Sequence, residues 1–196
     1  MISQEHETSD WKYYIWPNYF SPEQCKEIGN VIDNNYISSG EGDFTARNNK
    51  GEPLKAISNV KSVAYGAIKH LIHPLINEAF YIANNKFGYL TFGPYDVEQL
   101  NFNTYSSDSH DQYRWHIDES PNSQEDIKLT LLINLSTEKY EGGEFETYIY
   151  ENKRIDEFSQ PGSVYMFPSK FHHRVLPVTS GTRKSLTFFI TGPRFR

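Results

Sequence analysis

Cysteine is almost missing from the 196 residues: Cys25 stands alone. One thiol excludes an intramolecular disulfide and every multi-cysteine zinc or iron–sulfur site. It fits a reducing compartment, so a cytoplasmic location is expected. Long apolar runs are missing too, and none approaches the ~18 residues of a membrane span. The first residues, MISQEHETSDWK, have neither a basic start nor an apolar core, so no secretory signal is expected there. Positive charge is in short supply: 19 Lys plus Arg against 25 Asp plus Glu leave a formal charge of −6. That balance speaks against a broadly basic nucleic-acid surface. Aromatic residues are plentiful, 15 % of the total with 14 Tyr and 13 Phe, and they favour strands. At about 150 residues per domain, 1–196 reads as a single domain that can bury its own core without staples.

Hydropathy divides the chain in two. Residues 1–88 read as a short aromatic strand, Lys12 to Trp16, followed by supporting helices. Ser21-Pro22-Glu23-Gln24 is a helix start, with Ser as N-cap, Pro at the first helical position and Gln at the capping-box position. Cys25, Ile28, Val31 and Ile32 then recur at helical spacing. Gly40 to Pro53 is polar and glycine-bearing and reads as a loop. A second, longer helix is expected with Val63, Ala67, Leu71, Leu75, Ala79 and Ile82 on one face, kinked or split at Pro74. Residues 89–196 change to period two. Strands are expected at Val97–Phe102, Lys128–Leu135, Gly143–Tyr150, Gly162–Phe167 and Arg183–Thr191. Turn signals separate them at Ser120-Pro121-Asn122-Ser123, Glu141-Gly142-Gly143, Gln160-Pro161-Gly162 and Thr179-Ser180-Gly181. Short strands at this spacing point to a mainly β sandwich or jelly roll braced by two or more N-terminal helices. The intervals are too short for repeated βαβ crossovers.

Candidate chemistry starts at Arg114-Trp115-His116-Ile117-Asp118. Residues two apart on a strand point the same way, so His116 and Asp118 can face one ion. Alone the pair says little, because chance supplies about 0.3 such pairs in a chain of this composition. A second imidazole source, His172-His173, lies far downstream near the end of a strand. Two imidazoles and a carboxylate form the facial triad of non-haem Fe(II) and leave three positions open. Zinc hydrolases use the same ligand types, so the triad leaves the metal open. Arg183 separates the two readings. It opens the strand after the Thr-Ser-Gly turn, with Ser185 on the same face. An inward Arg needs an anion, because an unpaired buried charge is costly. A dicarboxylate that chelates the metal at one end meets that Arg at the other as a two-bond fork.

Four blocks then carry a resemblance. They are Trp115-His116-Ile117-Asp118, Glu141-Gly142-Gly143-Glu144-Phe145, Pro161-Gly162-Ser163, and Phe167-Pro168-Ser169 through His173-Arg174-Val175-x-Pro177-Val178-x-x-Gly181-x-Arg183-x-Ser185-Leu186. Over Val97 to Thr191 the chain resembles the Fe(II)/2-oxoglutarate-dependent dioxygenases, in particular the prolyl 4-hydroxylase-like superfamily. The resemblance implies a double-stranded β-helix core, jelly-roll and cupin-like, with two helices packed on one sheet. It implies Fe(II) held by His116, Asp118 and His173. It also implies 2-oxoglutarate held at its far carboxylate by Arg183, with Tyr113, Ser185 and Tyr105 as further co-substrate contacts. O2 is the third reactant, and ascorbate is a further cofactor candidate. The implied reaction hydroxylates a peptidyl or protein residue, proline first, and releases succinate and CO2. The alternatives are hydroxylation of a free amino acid or small metabolite, and demethylation of a nucleobase. Outside enzymes the reading is a metal- or sugar-binding jelly roll, against which Arg183 speaks. A peptide or protein partner is expected, with no nucleic-acid or membrane partner. The chain departs from the family between Tyr105 and Trp115, where Ser106-Ser107-Asp108-Ser109-His110-Asp111 replaces the usual glycine, and this stretch reads as a substrate-side loop.

The remaining candidates have plainer readings. His172 adjoins His173, but strand period turns it to the opposite face, and the family pattern puts the ligand immediately before Arg-Val. His70 and His73, three apart on the second helix, read as a solvated helix face. His110 with Asp108 and Asp111 reads as a polar mobile loop rather than a second metal site. Trp115 and Cys25 read as core. Arg174, Lys170, Lys184, Arg194 and Arg196 read as a charged strand exterior. Glu138, Glu141, Glu144, Glu146 and Glu151 read as protection of exposed strand edges.

Overall fold

The computed structural model describes residues 12–41, 58–120 and 124–194. Strand β1 (Tyr14–Trp16) leads into helix α1 (Pro22–Asn35). Ser21 caps that helix as its sequence predicts. Its hydroxyl accepts the Gln24 N–H at 3.3 Å, and the Gln24 side chain accepts the Ser21 N–H at 2.9 Å. Cys25, Ile28 and Ile32 are buried, with Val31 half-buried against them. Strands β2 (Ser38–Glu41) and β3 (Asn59–Ala64) then pair antiparallel. This corrects the expectation of a loop from Gly40 and a helix from Val63; the rest of that loop, like Pro121 to Ser123 and Arg196, lies outside the described residues. Val63 is fully buried as part of the sheet. The junction is hidden in the sequence because β3 runs into helix α2 (Tyr65–Asn85) with no turn residue between them.

Helix α2 is continuous through Pro74, which does not split it. Pro74 is exposed, so water can take the carbonyl that its missing N–H leaves unpaired. The buried face is Ile68, Ile72, Leu75, Ile76, Ala79 and Ala83, whereas Ala67 and Leu71 are only half-buried.

Twelve further segments in chain order build the β core: β4 (Gln99–Ser106), a 3-10 turn at Ser107–Ser109, β5 (Tyr113–His116), β6 (Glu125–Asn134), β7 (Glu141–Gly142), β8 (Phe145–Ile149), β9 (Glu151–Arg154), a second 3-10 turn at Asp156–Ser159, β10 (Val164–Pro168), β11 (His173–Val175), β12 (Val178–Ser180) and β13 (Thr182–Pro193). A seven-stranded sheet has the order β1-β10-β6-β13-β4-β3-β2. A four-stranded sheet, β5-β11-β8-β9, faces it, and β12 pairs with β7. All pairings are antiparallel. This is the mainly β jelly roll braced by two helices.

Period two decides what each face of the large sheet does. Leu129, Leu131 and Ile133 of β6, Leu186, Phe188 and Ile190 of β13, and Leu100 and Phe102 of β4 pack with α1 and α2. The alternate residues turn toward the small sheet. There Leu132, Tyr165, Phe167 and Tyr105 meet Phe145, Phe158 and Val175 in a second apolar cluster. The same inner face carries polar residues near one end of β4 and β13, and these line the candidate site.

Candidate active site

A cavity of about 460 Å³ opens between the two sheets. His116 and His173 enter it from adjacent strands, as direct cross-strand partners of β5 and β11, with ring centroids 4.0 Å apart. Each ring is oriented by the carbonyl two residues before it. Nδ1 of His116 lies 2.7 Å from the Arg114 oxygen and Nδ1 of His173 lies 3.0 Å from the Phe171 oxygen. A carbonyl only accepts, so both Nδ1 atoms carry the hydrogen and both Nε2 lone pairs turn inward.

Those lone pairs converge on Asp118. His116 Nε2 is 3.7 Å from one carboxylate oxygen and His173 Nε2 is 3.4 Å from the other. Asp118 stands beyond the end of β5, not on it as the H-x-D spacing suggested. Its N–H donates to the Ser169 carbonyl at 2.9 Å, and its Oδ2 accepts the Thr130 hydroxyl at 2.6 Å. Burial pushes the Asp118 carboxyl up, against the Thr130 hydrogen bond and the charge of His116. Burial also pushes the His173 imidazole down to about 4, so this ring is neutral at neutral pH and forms no ion pair with the carboxylate. One ligand atom from each of His116, Asp118 and His173 therefore lies within 4.8 Å of the others, and all are electron-rich. A cation at their centre satisfies that arrangement, and two imidazoles plus one carboxylate suit ferrous iron.

At the other end of the cavity Arg183 is 2 % exposed. Its Nη1 donates to the Ser185 hydroxyl at 3.2 Å, and its guanidinium carbon lies 5.2 Å from the Tyr105 ring centre and 5.7 Å from that of Phe158. Tyr105 is the β4 residue paired with Arg183, and burial pushes its phenol up while the Arg183 charge opposes. No carboxylate among the described residues is within ion-pair distance of Arg183. A buried guanidinium without an anion is costly to leave so, and a dicarboxylate reaching from the metal-type donors would answer it. Tyr113 also lines the cavity, with its ring 3.9 Å from His116. The structure thus brings His116, Asp118, His173, Arg183, Ser185, Tyr105 and Tyr113 around one space.

Sequence reasoning missed several lining residues. Asn101 and Asn103 share the inner face of β4 with Tyr105, and Thr187 and Phe189 continue the Arg183–Ser185 face of β13. Asn103 Nδ2 donates to the Thr187 hydroxyl and the Asn101 carbonyl, both at 3.2 Å. The period-two rule that placed Ser185 beside Arg183 would have found them.

Some secondary readings need correction. His172 is exposed, as expected. His73 is not a solvated helix residue: Nδ1 is 2.6 Å from the Tyr65 hydroxyl and Nε2 is 3.0 Å from Asn77. Asp111 is buried and accepts the Ser106 N–H at 2.8 Å, so it closes the loop it was assigned to. Trp115 is half-buried rather than core, with the Arg174 guanidinium 4.7 Å above its ring. Arg174 also pairs with Glu146 at 2.7 Å, and Glu144 pairs with Arg154 at 3.1 Å, so these two glutamates are structural as well as peripheral. Among the described residues no helix is long and apolar enough to cross a membrane.

Comparison with known proteins agrees with this geometry. The family described as the 2OG-Fe(II) oxygenase superfamily matches residues 100–191. A PKHD-type hydroxylase of Acinetobacter baumannii is 25 % identical over 195 residues, covering 89 % of this chain and 75 % of that protein. A Pseudomonas putida prolyl-4-hydroxylase superposes with a TM-score of 0.66 at 15 % identity, covering 94 % of each chain. A Trichoplax adhaerens prolyl hydroxylase, solved in complex with a hypoxia inducible factor oxygen degradation domain peptide fragment, superposes with a TM-score of 0.65 at 19 % identity, covering 91 % of this chain and 83 % of that one. These solved structures share the jelly-roll fold.

Proposed function

We propose that the chain is a 2-oxoglutarate- and Fe(II)-dependent dioxygenase of the prolyl 4-hydroxylase-like type, and that it hydroxylates a peptidyl or protein residue, proline first, with release of succinate and CO2. The observation that carries the site assignment is a buried guanidinium with no carboxylate at ion-pair distance among the described residues, sharing one cavity with three converging metal-type donors.

In this proposal His116, Asp118 and His173 hold the metal. Bound ferrous iron supplies the redox chemistry that couples O2 and 2-oxoglutarate to C–H oxidation. The chain's own residues do the rest. The Arg114 and Phe171 carbonyls fix the imidazole tautomers, and Thr130 fixes the carboxylate. Arg183 takes the far carboxylate of 2-oxoglutarate, with Ser185, Tyr105 and Tyr113 as neighbouring contacts. Two charge-assisted hydrogen bonds at roughly 1.5–3 kcal/mol each make that fork worth about 10²- to 10⁴-fold in affinity. Phe145, Phe167 and Val175 keep water from the inner wall. Residues 1–196 act as one domain: the region to residue 88 braces the core and also contributes Ser38, Val60 and Ser62 of β2 and β3 to the cavity wall.

The cavity wall supports a peptidyl substrate over a free amino acid. Among the described residues its ionisable groups besides tyrosine are His116, Asp118, His173 and Arg183, all committed to iron and co-substrate in this proposal. A free amino acid brings an ammonium and a carboxylate that would find no counter-charge among these described residues. A peptide bond is neutral and meets Asn101, Asn103, Ser62 and Thr187 instead. The location proposed is the cytoplasm, and ascorbate enters as a reductant added to the assay. The test is incubation with iron, 2-oxoglutarate, ascorbate and a proteome-derived peptide mixture, followed by mass spectrometry. The proposal expects peptide-dependent succinate formation and oxygen addition at proline. Turnover stimulated by free amino acids or nucleobases and not by peptides would refute it.

A further inference from the structure

Beside the metal-type donors lies a second hollow of about 580 Å³. It shares Asp118 and Phe189 with the catalytic cavity, so the two spaces meet along one wall. Its floor is apolar, made by Ile127, Phe188 and Phe189, with Tyr95 exposed at the rim. Among the described residues every charged side chain lining it is acidic: Asp118, Glu98, Glu119 and Glu125. Glu119 is paired with Lys170 at 3.2 Å. The Glu98 carboxylate accepts the Tyr95 N–H at 3.0 Å, and neither Glu98 nor Glu125 has a cationic partner among the described residues. Lys128 and Arg194, the cations on the neighbouring strand ends, are turned to Asp126 at 3.7 and 3.8 Å.

Glu98 and Glu125 are both half-buried. Burial and the charge of Glu125 push the Glu98 carboxyl above its usual value. Two such carboxylates beside an apolar floor suit a ligand with a methylene stem and a cationic head, since the stem lies on Ile127 and Phe189 while the head reaches the acids. A neutral or anionic group gains nothing there.

We propose that this hollow receives a lysine or arginine side chain of the peptide substrate, within roughly three residues of the hydroxylated position given the reach of an extended chain. The proposal rests on the peptidyl reading above and adds a sequence preference to it.

The test uses four matched sets of synthetic proline-centred peptides, which carry Lys, Arg, Gln or Glu at the positions flanking the proline. Each set is incubated with the enzyme, Fe(II) and 2-oxoglutarate, and hydroxylated peptide and succinate are both measured. The Lys and Arg sets are expected to be hydroxylated about tenfold or more faster than the Glu set, the factor that a single partly desolvated ion pair supplies. In the Glu98→Gln/Glu125→Gln double variant that preference should collapse, and in Glu125→Lys it should move toward the Glu set. The anaerobic absorption band of the iron–ketoacid complex serves as the check that each variant is folded. Hydroxylation indifferent to flanking charge, or a preference that survives the double variant, overturns the hollow's role while leaving the peptidyl reading intact. Succinate formation with no set hydroxylated overturns the peptidyl reading and this inference with it.

Discussion

Thr130 does for Asp118 what two carbonyls do for the imidazoles. Its hydroxyl bonds the carboxylate at 2.6 Å and lies 3.2 Å from Ser169, and the side chain is 1 % exposed. Thr130→Val keeps the volume and removes the donor, so Asp118 is free to turn. Ferrous iron should then bind about 10- to 100-fold more weakly, read by anaerobic competition with a chelator, while folding is retained; unchanged iron affinity would remove Thr130 from the site's support. At this scale legibility was uneven. The placing of His116, His173 and Arg183 around one space was readable because order and spacing along strands fix which side each faces. Asp118 instead joins them from beyond the end of β5, held by Ser169 and Thr130 rather than by strand alternation. Thr130 was not readable, because it meets Asp118 through strand pairing, and register between distant strands is not written in local pattern. Asn101 and Asn103 were readable in principle, since they stand four and two residues before Tyr105 on the same strand.

The elements show which local signals suffice. Ser21-Pro22-x-Gln24 named the start of α1 because a cap is a contact between near neighbours; Ser21→Ala should cost about 1 kcal/mol of stability in denaturant unfolding. β6, β10 and β13 were legible as short strand-forming runs bounded by turn signals; with both faces of the large sheet packed, β6 and β10 are buried almost continuously along their length. The boundary between β3 and α2 failed for a physical reason: β3 ends on the apolar pair Val63-Ala64 and abuts the apolar helix with no turn residue between them, so buried Val63 reads as the first position of the helical stripe. Pro74 reads as a kink or a split because propensity opposes it, yet packing of the opposite face keeps the helix continuous. Pro74→Ala should therefore raise stability by about 1 kcal/mol or more, seen as a higher Tm. A glycine marks the reverse case. Gly162 has φ of +76°, and a Cβ there would lie 1.9 Å from the Phe20 carbonyl oxygen, whose backbone also bonds to Gly162. Gly162→Ala should prevent folding, so soluble expression at the normal level would contradict this packing.

For the molecule as a whole, the buried donors couple metal, pH and stability. The His173 imidazole sits at about 4 in the fold and returns to 6.5 on unfolding. Between those values the unfolded chain takes up a proton that the native chain refuses, so the metal-free protein should lose stability as pH falls from 6.5 toward 4. Asp118 acts in the opposite sense. Its carboxyl is raised above the usual 3.8, so the native state accepts that proton first and part of the loss is recovered at the acid end. Iron requires neutral imidazoles and an ionised carboxylate. The rise in Tm on adding Fe(II) should therefore be larger at about pH 7.5 than at about pH 5.5; a rise independent of pH would mean that iron binds elsewhere. The central claim joins the two ends of the cavity, with a ketoacid spanning from His116, Asp118 and His173 to Arg183. It is tested most directly by anaerobic titration of 2-oxoglutarate into the Fe(II)-loaded protein and its Arg183→Lys variant, following the weak visible charge-transfer band of a chelated ketoacid. The account predicts a saturable band in both, with the variant needing about tenfold or more 2-oxoglutarate because the lysine lacks the fork, and with iron affinity unchanged. Absence of the band in the unaltered protein, or equal loss of iron and ketoacid binding in the variant, would contradict it.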